Sequence, residues 1–383
     1  MEHIYLDNSA TTPLCQGAVD GIHKAIENFA NPSSLHSLGH GAEKEINLAR
    51  EAIAAALNIK KDSYKIVFTS GGTEANNLAI TGVANAKNYK NPKIIVSNSE
   101  HPCILEPVKA LEGKGFKVVY LPTVNGEIDE NVFYKEMDKD TVLVSIMTVN
   151  NETGAIYDIK KLFAYAKRVN PNVVCHTDAV QAFLKIPFSP LMMGADLVSI
   201  SSHKIHGPKG CGALVIAKPL ITAKKLSPIL LGGGQEDGIR SGTENTVGIM
   251  GMGGAVGELF PKLKNDVALM TENRNYLISV LPQDVKVNAA KNTAPHIINI
   301  TVPGIKSETM LHFLSSKGIY VSSGSACSSH KQTQSHVLLG FGLSKLDADC
   351  SIRVSISPET TKEQLDVFVH ELKNGMDNLV KIN

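Results

Sequence analysis

Short runs of apolar and β-branched residues alternate with amphipathic stretches over the first half of this chain. The runs have the length and composition of buried strands. They are KIVFTS (65–70), KIIVSN (93–98), KVVYLP (117–122), TVLVSIMTVN (141–150), VVCHTD (173–178) and LVSISSH (197–203). One stretch between runs, from Ser33 to Leu57, spaces its apolar residues by three and four, which is typical of one face of a helix. The residues on that face are Leu35, Leu38, Ala42, Ile46, Ala49, Ile53 and Ala56.

This alternation predicts an α/β fold. Strands that alternate with helices form a mainly parallel sheet with helices on both faces, which makes a three-layer sandwich. After the glycine-rich stretch 231–245, a long helical run continues to about Leu281, and shorter strands and helices then follow in a different pattern. We therefore predict a large domain over residues 15–255 and a smaller α+β domain formed by residues 1–14 and 256–383.

Charge and composition exclude several classes of function. The 383 residues include 38 basic and 37 acidic ones, so the net charge of +1 predicts no attraction to nucleic acid or to an anionic membrane. The most apolar stretch, VGIMGMGGAVGELF, is too short and too rich in glycine to span a bilayer. The start MEHIYLDNSATTP does not resemble a secretory signal. We expect a cytoplasmic protein that binds neither membrane nor nucleic acid directly.

The cysteines do not form a pattern of their own. They lie at positions 15, 103, 175, 211, 327 and 350, without any Cys-x-x-Cys pair. This spacing argues against a disulfide framework and against a zinc site of paired thiols. A metal site on His203 and His206 would have no further ligands nearby in the sequence. We therefore predict no resident metal ion.

Polar residues follow the predicted strands, at the edge of the sheet where open α/β folds bind ligands. Gly72 and Thr73 follow the first strand and open a helix, whose free N–H groups suit a phosphate. The residues after the other strands offer an imidazole, amides, a carboxylate and an amine: His101, Asn151, Asp178, Gln181, Ser202, His203 and Lys204. Each also has a structural alternative, such as a helix cap for Asp178 or a surface position for Lys204.

Together these groups match the requirements of pyridoxal 5′-phosphate. Its aldehyde needs a lysine, its pyridine nitrogen needs a carboxylate, and its phosphate needs N–H groups and hydroxyls. A partly buried strand end favours the neutral amine that Lys204 must present to the aldehyde, because burial disfavours the ammonium form. A dinucleotide fits less well, since the glycine turn lacks the Gly-x-Gly-x-x-Gly pattern and a nicotinamide needs no lysine.

Two further residues indicate chemistry on a substrate. Cys327 lies within SSGSACSSHKQTQS (322–335), a run of small and hydroxylic residues that is typical of a loop. A cysteine in such a loop is a candidate nucleophile, whereas Cys103 lies in an apolar helical stretch that favours an inert thiol. Arg353 lies within a predicted strand, where either a substrate carboxylate or a structural salt bridge would compensate its burial.

Eight motifs occur in the order YLDNSATTP, FTSGGTEANNLAI, SEHPC, VNNETG, HTDAVQ, SSHKIHGPKG, RSGTEN and SSGSACSS. In these motifs the chain resembles the cysteine desulfurases, pyridoxal-phosphate enzymes of the class V aminotransferase family, over nearly its whole length. The resemblance implies a fold-type I transferase that removes sulfur from L-cysteine, giving L-alanine and a persulfide on Cys327. A selenocysteine lyase or an aminotransferase on the same fold stays open, as does a non-catalytic sulfur carrier.

The resemblance also implies a role for individual residues. Lys204 would bind pyridoxal 5′-phosphate covalently, His101 would stack on its ring and transfer protons, and Cys327 would be the nucleophile. The other cofactor contacts would come from Gly72, Thr73, Asn151, Asp178, Gln181, Ser201, His203 and, across a homodimer, Thr243. Arg353 and Asn31 would bind the substrate carboxylate.

The SSGSAC form of the cysteine loop resembles one subgroup of the family. That subgroup supplies sulfur to iron–sulfur cluster assembly or to tRNA thiolation. The implied partner is a sulfur acceptor, either an iron–sulfur scaffold or a tRNA-thiolation carrier, and transient ligation of an iron–sulfur cluster by Cys327 is compatible with this role. After Cys327 the chain reads KQTQSHV where relatives have a proline, so the choice of partner stays open.

Overall fold

The computed structural model describes residues 3–323 and 334–381, and its strands form one large sheet and several small ones. Apolar, β-branched runs form the buried strands, because such side chains pack well on a pleated surface. In chain order the strands are β1 (Ile4–Tyr5), β2 (Tyr64–Thr69), β3 (Lys93–Ser97), β4 (Lys117–Leu121), β5 (Thr123–Val124), β6 (Glu127–Ile128), β7 (Thr141–Ser145), β8 (Val174–Asp178), β9 (Leu197–Ser201), β10 (Gly212–Ala217), β11 (Lys286–Val287), β12 (Ile297–Thr301), β13 (Ile319–Tyr320), β14 (Ser322–Ser323) and β15 (Ser351–Ser355).

Helices connect most of these strands. They are α1 (Gln16–Glu27), α2 (Ser37–Ala56), α3 (Gly72–Ala84), α4 (Pro102–Glu112), α5 (Glu130–Glu136), α6 (Ile159–Val169), α7 (Pro190–Met193), α8 (Lys218–Thr222), α9 (Thr246–Leu259), α10 (Leu263–Val280), α11 (Ser307–Ser316), α12 (His336–Phe341), α13 (Lys345–Asp349) and α14 (Lys362–Asn378). Within the described ranges, no helix combines the length and the apolar character needed to cross a membrane.

The large sheet has seven strands in the order β2-β10-β9-β8-β7-β3-β4. The pairs from β9 through β4 are parallel, and only β10 runs antiparallel to its neighbours β2 and β9. Alternate side chains enter separate cores on its two faces: Ile95 and Val144 lie in one core, whereas Ile94 and Leu143 lie in the other. The mainly parallel α/β sandwich expected from the sequence is therefore confirmed.

A second, smaller core forms from the two ends of the chain. Strands β11-β12-β15-β14 form an antiparallel sheet, and β1 pairs in parallel with β13. Ile4 and Leu6, from the start of the chain, are buried with apolar residues of α10, α11 and α14. Helix α9 runs across position 256, and the division into domains at that position stays a prediction.

Three details of the predicted elements were wrong. Strand β7 ends at Ser145 rather than at residue 150, because the Met147 N–H donates to the Glu100 carboxyl instead of to a neighbouring strand. Helix α2 begins at Ser37 rather than at residue 33, and both Leu35 and Leu38 are exposed. Strand β10 was not predicted, although its sequence GALVIA is a short apolar run.

Candidate active site

A cavity of about 640 Å³ lies beyond the carboxyl ends of the parallel strands, and a smaller one of about 360 Å³ adjoins it. Most of the residues that the sequence analysis selected line the larger cavity. They are Gly72, Thr73, His101, Asn151, Asp178, Gln181, Ser201, His203, Lys204 and Arg353. The fold therefore brings together side chains from strand ends that are far apart in the sequence, as an open α/β sheet does.

Lys204 reaches the cavity from a short 3-10 turn, Ser202–Lys204, directly after β9. Its Nζ donates to the carbonyl oxygens of Ser9, at 2.6 Å, and Ala10, at 2.7 Å. The amine is therefore held beside the segment that follows β1. This segment connects the small sheet to the large one. Ser9 and Ala10 were not predicted as site residues, although both lie in the motif YLDNSATTP.

Asp178 is the last residue of β8, and its carboxylate is buried. One oxygen accepts from the Val180 N–H at 2.9 Å, and the other accepts from the Asn76 side-chain amide at 2.7 Å. Burial raises the pKa of the Asp178 carboxyl, because desolvation disfavours its charged form. A cation placed beside this carboxylate would restore the ionised form, which suits a protonated ring nitrogen.

His101 caps the N-terminus of α4, and its Nδ1 accepts from the Cys103 backbone N–H at 3.2 Å. The Cys103 sulfur lies 2.9 Å from the same nitrogen and accepts from the Asn76 amide at 3.0 Å. Because Nδ1 is an acceptor, the proton of the neutral ring lies on Nε2. Burial lowers the pKa of His101 and raises that of Cys103, so both groups are neutral at physiological pH. Cys103 packs against the core, as expected, but the residue also lines the cavity.

The N-terminus of α3 forms the part of the site that suits a phosphate. Its cap, Gly71, has φ of 155°, a conformation that side-chain-bearing residues rarely adopt. A Cβ on Gly72 would lie 2.9 Å from the Val180 side chain, so a glycine keeps this cradle open. The free N–H groups of the first turn and the helix dipole both favour an anion there.

Thr73, Ser201 and His203 line both cavities and so lie at the junction between them. The His203 Nδ1 lies 3.2 Å from the Thr11 hydroxyl. Burial, together with repulsion from Lys204 and Lys209, lowers the pKa of His203 to about 4. An anion bound at the N-terminus of α3 would therefore also be surrounded by a neutral imidazole, two hydroxyls and the nearby Lys209.

Arg353 extends from β15 into the wall of the larger cavity. Its guanidinium donates to the Asp7 carboxylate and to the Asn151 carbonyl oxygen, both at 2.8 Å. The salt bridge that the sequence left open is therefore present. Its Nε is buried without a partner among the described residues, and the group still lines the cavity.

Two predicted residues lie away from the cavities, and a third is outside the described residues. Thr243 is exposed and does not line either cavity, so its role at the cofactor stays a prediction. Asn31 is also exposed, and its side-chain oxygen accepts from the Ser33 N–H at 2.9 Å. Cys327 lies outside the described residues. Among the residues that are described, no group of three or more His, Cys, Asp and Glu side chains is arranged to bind a metal ion.

Two buried glutamates at the cavity were missed. Glu100 accepts from the Ser97 hydroxyl at 2.6 Å and the Met147 N–H at 2.8 Å, and burial raises its pKa to about 8. Glu152 accepts from the Ser335 hydroxyl at 2.5 Å, and burial raises its pKa to about 7. Each directly adjoins a predicted site residue in the sequence, and that adjacency was the available signal.

The residues present fit pyridoxal 5′-phosphate. An amine, a buried carboxylate and an anion cradle line one continuous space, and the cradle is open because Gly72 has no side chain. The Gln181 amide donates to the Ser9 carbonyl at 2.9 Å, while its buried oxygen has no partner among the described residues. The Ser9 hydroxyl is likewise buried without a described partner. Buried polar atoms seldom lack a hydrogen-bond partner in a site that binds no ligand.

Comparisons with known proteins agree with this geometry. The family model described as Aminotransferase class-V matches residues 4–368. A relative named cysteine desulfurase IscS, from Dictyoglomus turgidum, is 41% identical over 99% of this chain and 96% of its own length. The chain belongs to the cysteine desulfurases of this family.

Solved structures give the same result. A NifS-like protein superimposes with a TM-score of 0.91 at 34% identity, covering 99% of this chain and 100% of its own. A structure described as SspA in complex with cysteine superimposes with a TM-score of 0.81 at 32% identity, covering 94% of this chain and 100% of its own. Both similarities support the fold-type I architecture expected for this cysteine desulfurase family member.

Proposed function

We propose that this chain is a pyridoxal-phosphate-dependent cysteine desulfurase. It transfers the sulfur atom of L-cysteine to the Cys327 thiol, so that L-cysteine and the thiol become L-alanine and a Cys327 persulfide. Membership of the family supports the reaction. The observation that carries the proposal is that the Lys204 amine and the buried Asp178 carboxylate line one cavity, which continues into an anion cradle.

The cofactor would be bound mainly by Lys204, Asp178, Gln181 and the cradle around Gly72. Further contacts would come from Thr73, Asn151, Ser201 and His203. When bound, pyridoxal 5′-phosphate supplies an electron sink for the pair left at the substrate Cα after proton removal. Lys204 moves that proton, since its amine is the base that must reach the substrate carbon. Asp178 keeps a proton on the ring nitrogen, because its buried carboxylate requires a cationic neighbour.

The substrate is oriented by two further groups that line the cavity. Arg353 binds the substrate carboxylate while it remains fixed by Asp7 and the Asn151 carbonyl oxygen. His101 presents a proton on Nε2, because Nδ1 accepts from Cys103, and is placed to exchange protons with the substrate or its sulfur. Cys327, as the thiolate, receives the substrate sulfur. Cys103 does not compete, since burial raises its pKa and keeps it protonated.

We further propose that the active unit is a homodimer. Large apolar side chains are exposed along one part of the chain: Ile26 is 61% exposed, Phe29 80%, Leu35 91% and Leu38 60%. Exposed apolar side chains of this size are costly on a lone chain when they lie together, and we propose that a second copy covers them. The same arrangement would bring Thr243, which is exposed here, to the phosphate cradle of the partner.

The sulfur then passes to an acceptor protein, for which an iron–sulfur scaffold and a tRNA-thiolation carrier are the candidates. We place this reaction in the cytoplasm. The five cysteines among the described residues are free thiols, which is the usual state in a reducing compartment.

Two variants test the function directly. Lys204→Ala should remove both the visible absorbance of the bound cofactor and the release of sulfide from L-cysteine. Cys327→Ser should keep the absorbance and lose the sulfide. Alanine should appear in the wild-type reaction without an added keto acid, as required for a desulfurase and not for an aminotransferase. Sulfide release at the normal rate by Cys327→Ser would refute the role of that thiol.

A further inference from the structure

The described residues on both sides of the Cys327 segment are connected to the wall of the cavity. Before the segment, β14 pairs with β15, and Ser322 lies opposite Arg353. After the segment, Gln334 and Ser335 line the cavity, and α12 begins at His336. The described chain after Cys327 is therefore part of the cavity wall, and the described chain before it pairs with Arg353, which lines the same cavity.

Two adjacent residues on a single turn contact Arg353 and Ser335. The Asn151 carbonyl oxygen accepts from Arg353, the strand partner of Ser322, at 2.8 Å. The Glu152 carboxylate accepts from the Ser335 hydroxyl at 2.5 Å. The Ser335 hydroxyl also accepts from the Leu338 N–H at 3.1 Å, so it caps α12 and contacts Glu152 at the same time.

The turn itself is firmly fixed. The Asn150 side-chain oxygen accepts from the N–H groups of Glu152 and Thr153, both at 2.9 Å, and its amide donates to the Ser99 carbonyl at 3.1 Å. Asn299, on β12 of the small sheet, donates to the Glu152 carbonyl at 3.2 Å. The backbone of Glu152 is therefore held at both its N–H and its carbonyl, and Glu152 and Ser335 are both buried.

We propose that Glu152 is a positioning residue for sulfur transfer, which acts through Ser335 to fix the place where the chain returns from Cys327 to the cavity wall. The inference rests on the proposed function. A hydrogen bond from a hydroxyl to a buried carboxylate is short and directional, so it defines the start of α12 more tightly than a solvent-exposed cap would. Burial raises the pKa of Glu152 to about 7, and the contact is therefore strongest above neutral pH, where the carboxylate is ionised.

The test separates sulfur transfer from the earlier chemistry at Cα. Exchange of the Cα proton with solvent deuterium needs Lys204 but not Cys327, whereas arrival of sulfur on Cys327 needs both. In the cofactor-bound protein, Glu152→Ala should slow sulfur arrival on Cys327 in a single turnover by about tenfold or more, as expected for a misplaced reacting group. It should leave the rate of Cα exchange unchanged. Glu152→Gln, which retains an oxygen acceptor, should recover most of the sulfur transfer.

Glu258→Ala is the matched control, because the Glu258 carboxylate accepts from the Gly17 N–H at 2.7 Å and does not line the cavity. It should leave both rates unchanged. Equal slowing of exchange and transfer by Glu152→Ala, or no slowing of transfer, would overturn the positioning role. A wild-type protein that exchanges the Cα proton but never places sulfur on Cys327 would instead overturn the proposed function.

Discussion

Arg353 has two structural partners and still lines the cavity. Asp7 and the Asn151 carbonyl fix the guanidinium from one side, which fits a group that must present its remaining N–H donors in a constant direction. The structural salt bridge and the substrate site were alternatives in the sequence, but in the folded chain they are compatible. A sequence cannot distinguish these cases, because a guanidinium has five donors and the pattern of a strand shows none of their partners.

We expect Arg353→Lys to raise the KM for L-cysteine by about tenfold or more, since a lost hydrogen bond to a charged group is worth about 1.5–3 kcal/mol. A lysine has no planar fork and cannot contact Asp7, Asn151 and a substrate together. Cofactor absorbance should stay unchanged. Steady-state kinetics of sulfide release at varied L-cysteine would check this, and an unchanged KM would exclude Arg353 from substrate binding.

His176 should make the folded chain sensitive to acid. Its ring lies in β8, fully buried, between the hydroxyls of Ser145 at 2.8 Å and Ser199 at 3.0 Å, and burial lowers its pKa to about 3. The unfolded chain binds a proton at His176 below about pH 6.5, whereas the folded chain does not. The stability from this group is therefore complete above that pH and is lost as the pH falls.

The corresponding measurement compares the wild type with His176→Asn by urea unfolding at pH 7 and pH 5.5. The wild type should lose about 1 kcal/mol of unfolding free energy relative to the variant between these two values. A difference between the two proteins that does not change with pH would show that His176 is not held neutral in the fold.

Individual elements of the fold could be predicted to different degrees. Strands β3, β8 and β9 were placed within a residue or two, because each is short, rich in apolar and β-branched residues and buried along its whole length. The start of α2 could not be placed. Its apolar period continues back to Leu35, but His36 caps the helix by accepting from the Gly39 N–H at 3.2 Å. A periodic pattern of apolar residues cannot show whether that face packs against the same chain or against a second chain.

The cradle at the start of α3 makes a prediction at the level of this element. Gly72→Ala adds a Cβ at 2.9 Å from the Val180 side chain, and such overpacking costs about 1–3 kcal/mol. The start of α3 can relieve part of this cost by shifting, and the shift moves its N–H groups away from the phosphate. We therefore expect the dissociation constant of pyridoxal 5′-phosphate to rise by about tenfold. Absorbance titration with the cofactor measures this change.

Gly257→Ala provides the control, since Gly257 lies in α9 and a Cβ there would meet nothing within 4 Å. It should raise the unfolding free energy by about 0.5–1 kcal/mol and leave cofactor affinity unchanged. If Gly72→Ala bound the cofactor as tightly as this control does, the cradle would not be the phosphate site.

At the scale of the whole molecule, the first residues of the chain connect the two cores. Ile4 and Leu6 belong to the small core, and Asp7 forms a parallel bridge with Ser355. The next residues reach the large sheet, where the carbonyl groups of Ser9 and Ala10 accept from Lys204. The sequence predicted that residues 1–14 belong with the C-terminal part of the chain, but not that they complete the lysine site, because no local pattern records such a distant contact.

A homodimer with shared sites predicts complementation between two inactive chains. Lys204→Ala lacks the amine, and Thr243→Ala lacks the hydroxyl that the partner would contribute. In a mixed dimer, one site combines the intact Lys204 of the Thr243→Ala chain with the intact Thr243 of the Lys204→Ala chain. Mixing the two variants should therefore restore sulfide release above the sum of the separate proteins. The absence of any gain in verified mixed dimers would show that each site is complete within one chain.

The most direct test of the account follows a labelled sulfur atom. The cofactor-bound protein would be given one equivalent of L-cysteine labelled at sulfur, quenched without a reducing agent and digested to locate the label. We predict that the label lies on the peptide that contains Cys327, as a persulfide, with one equivalent of L-alanine released. Label on the Cys103 peptide, or alanine released with no sulfur on the protein, would contradict the mechanism.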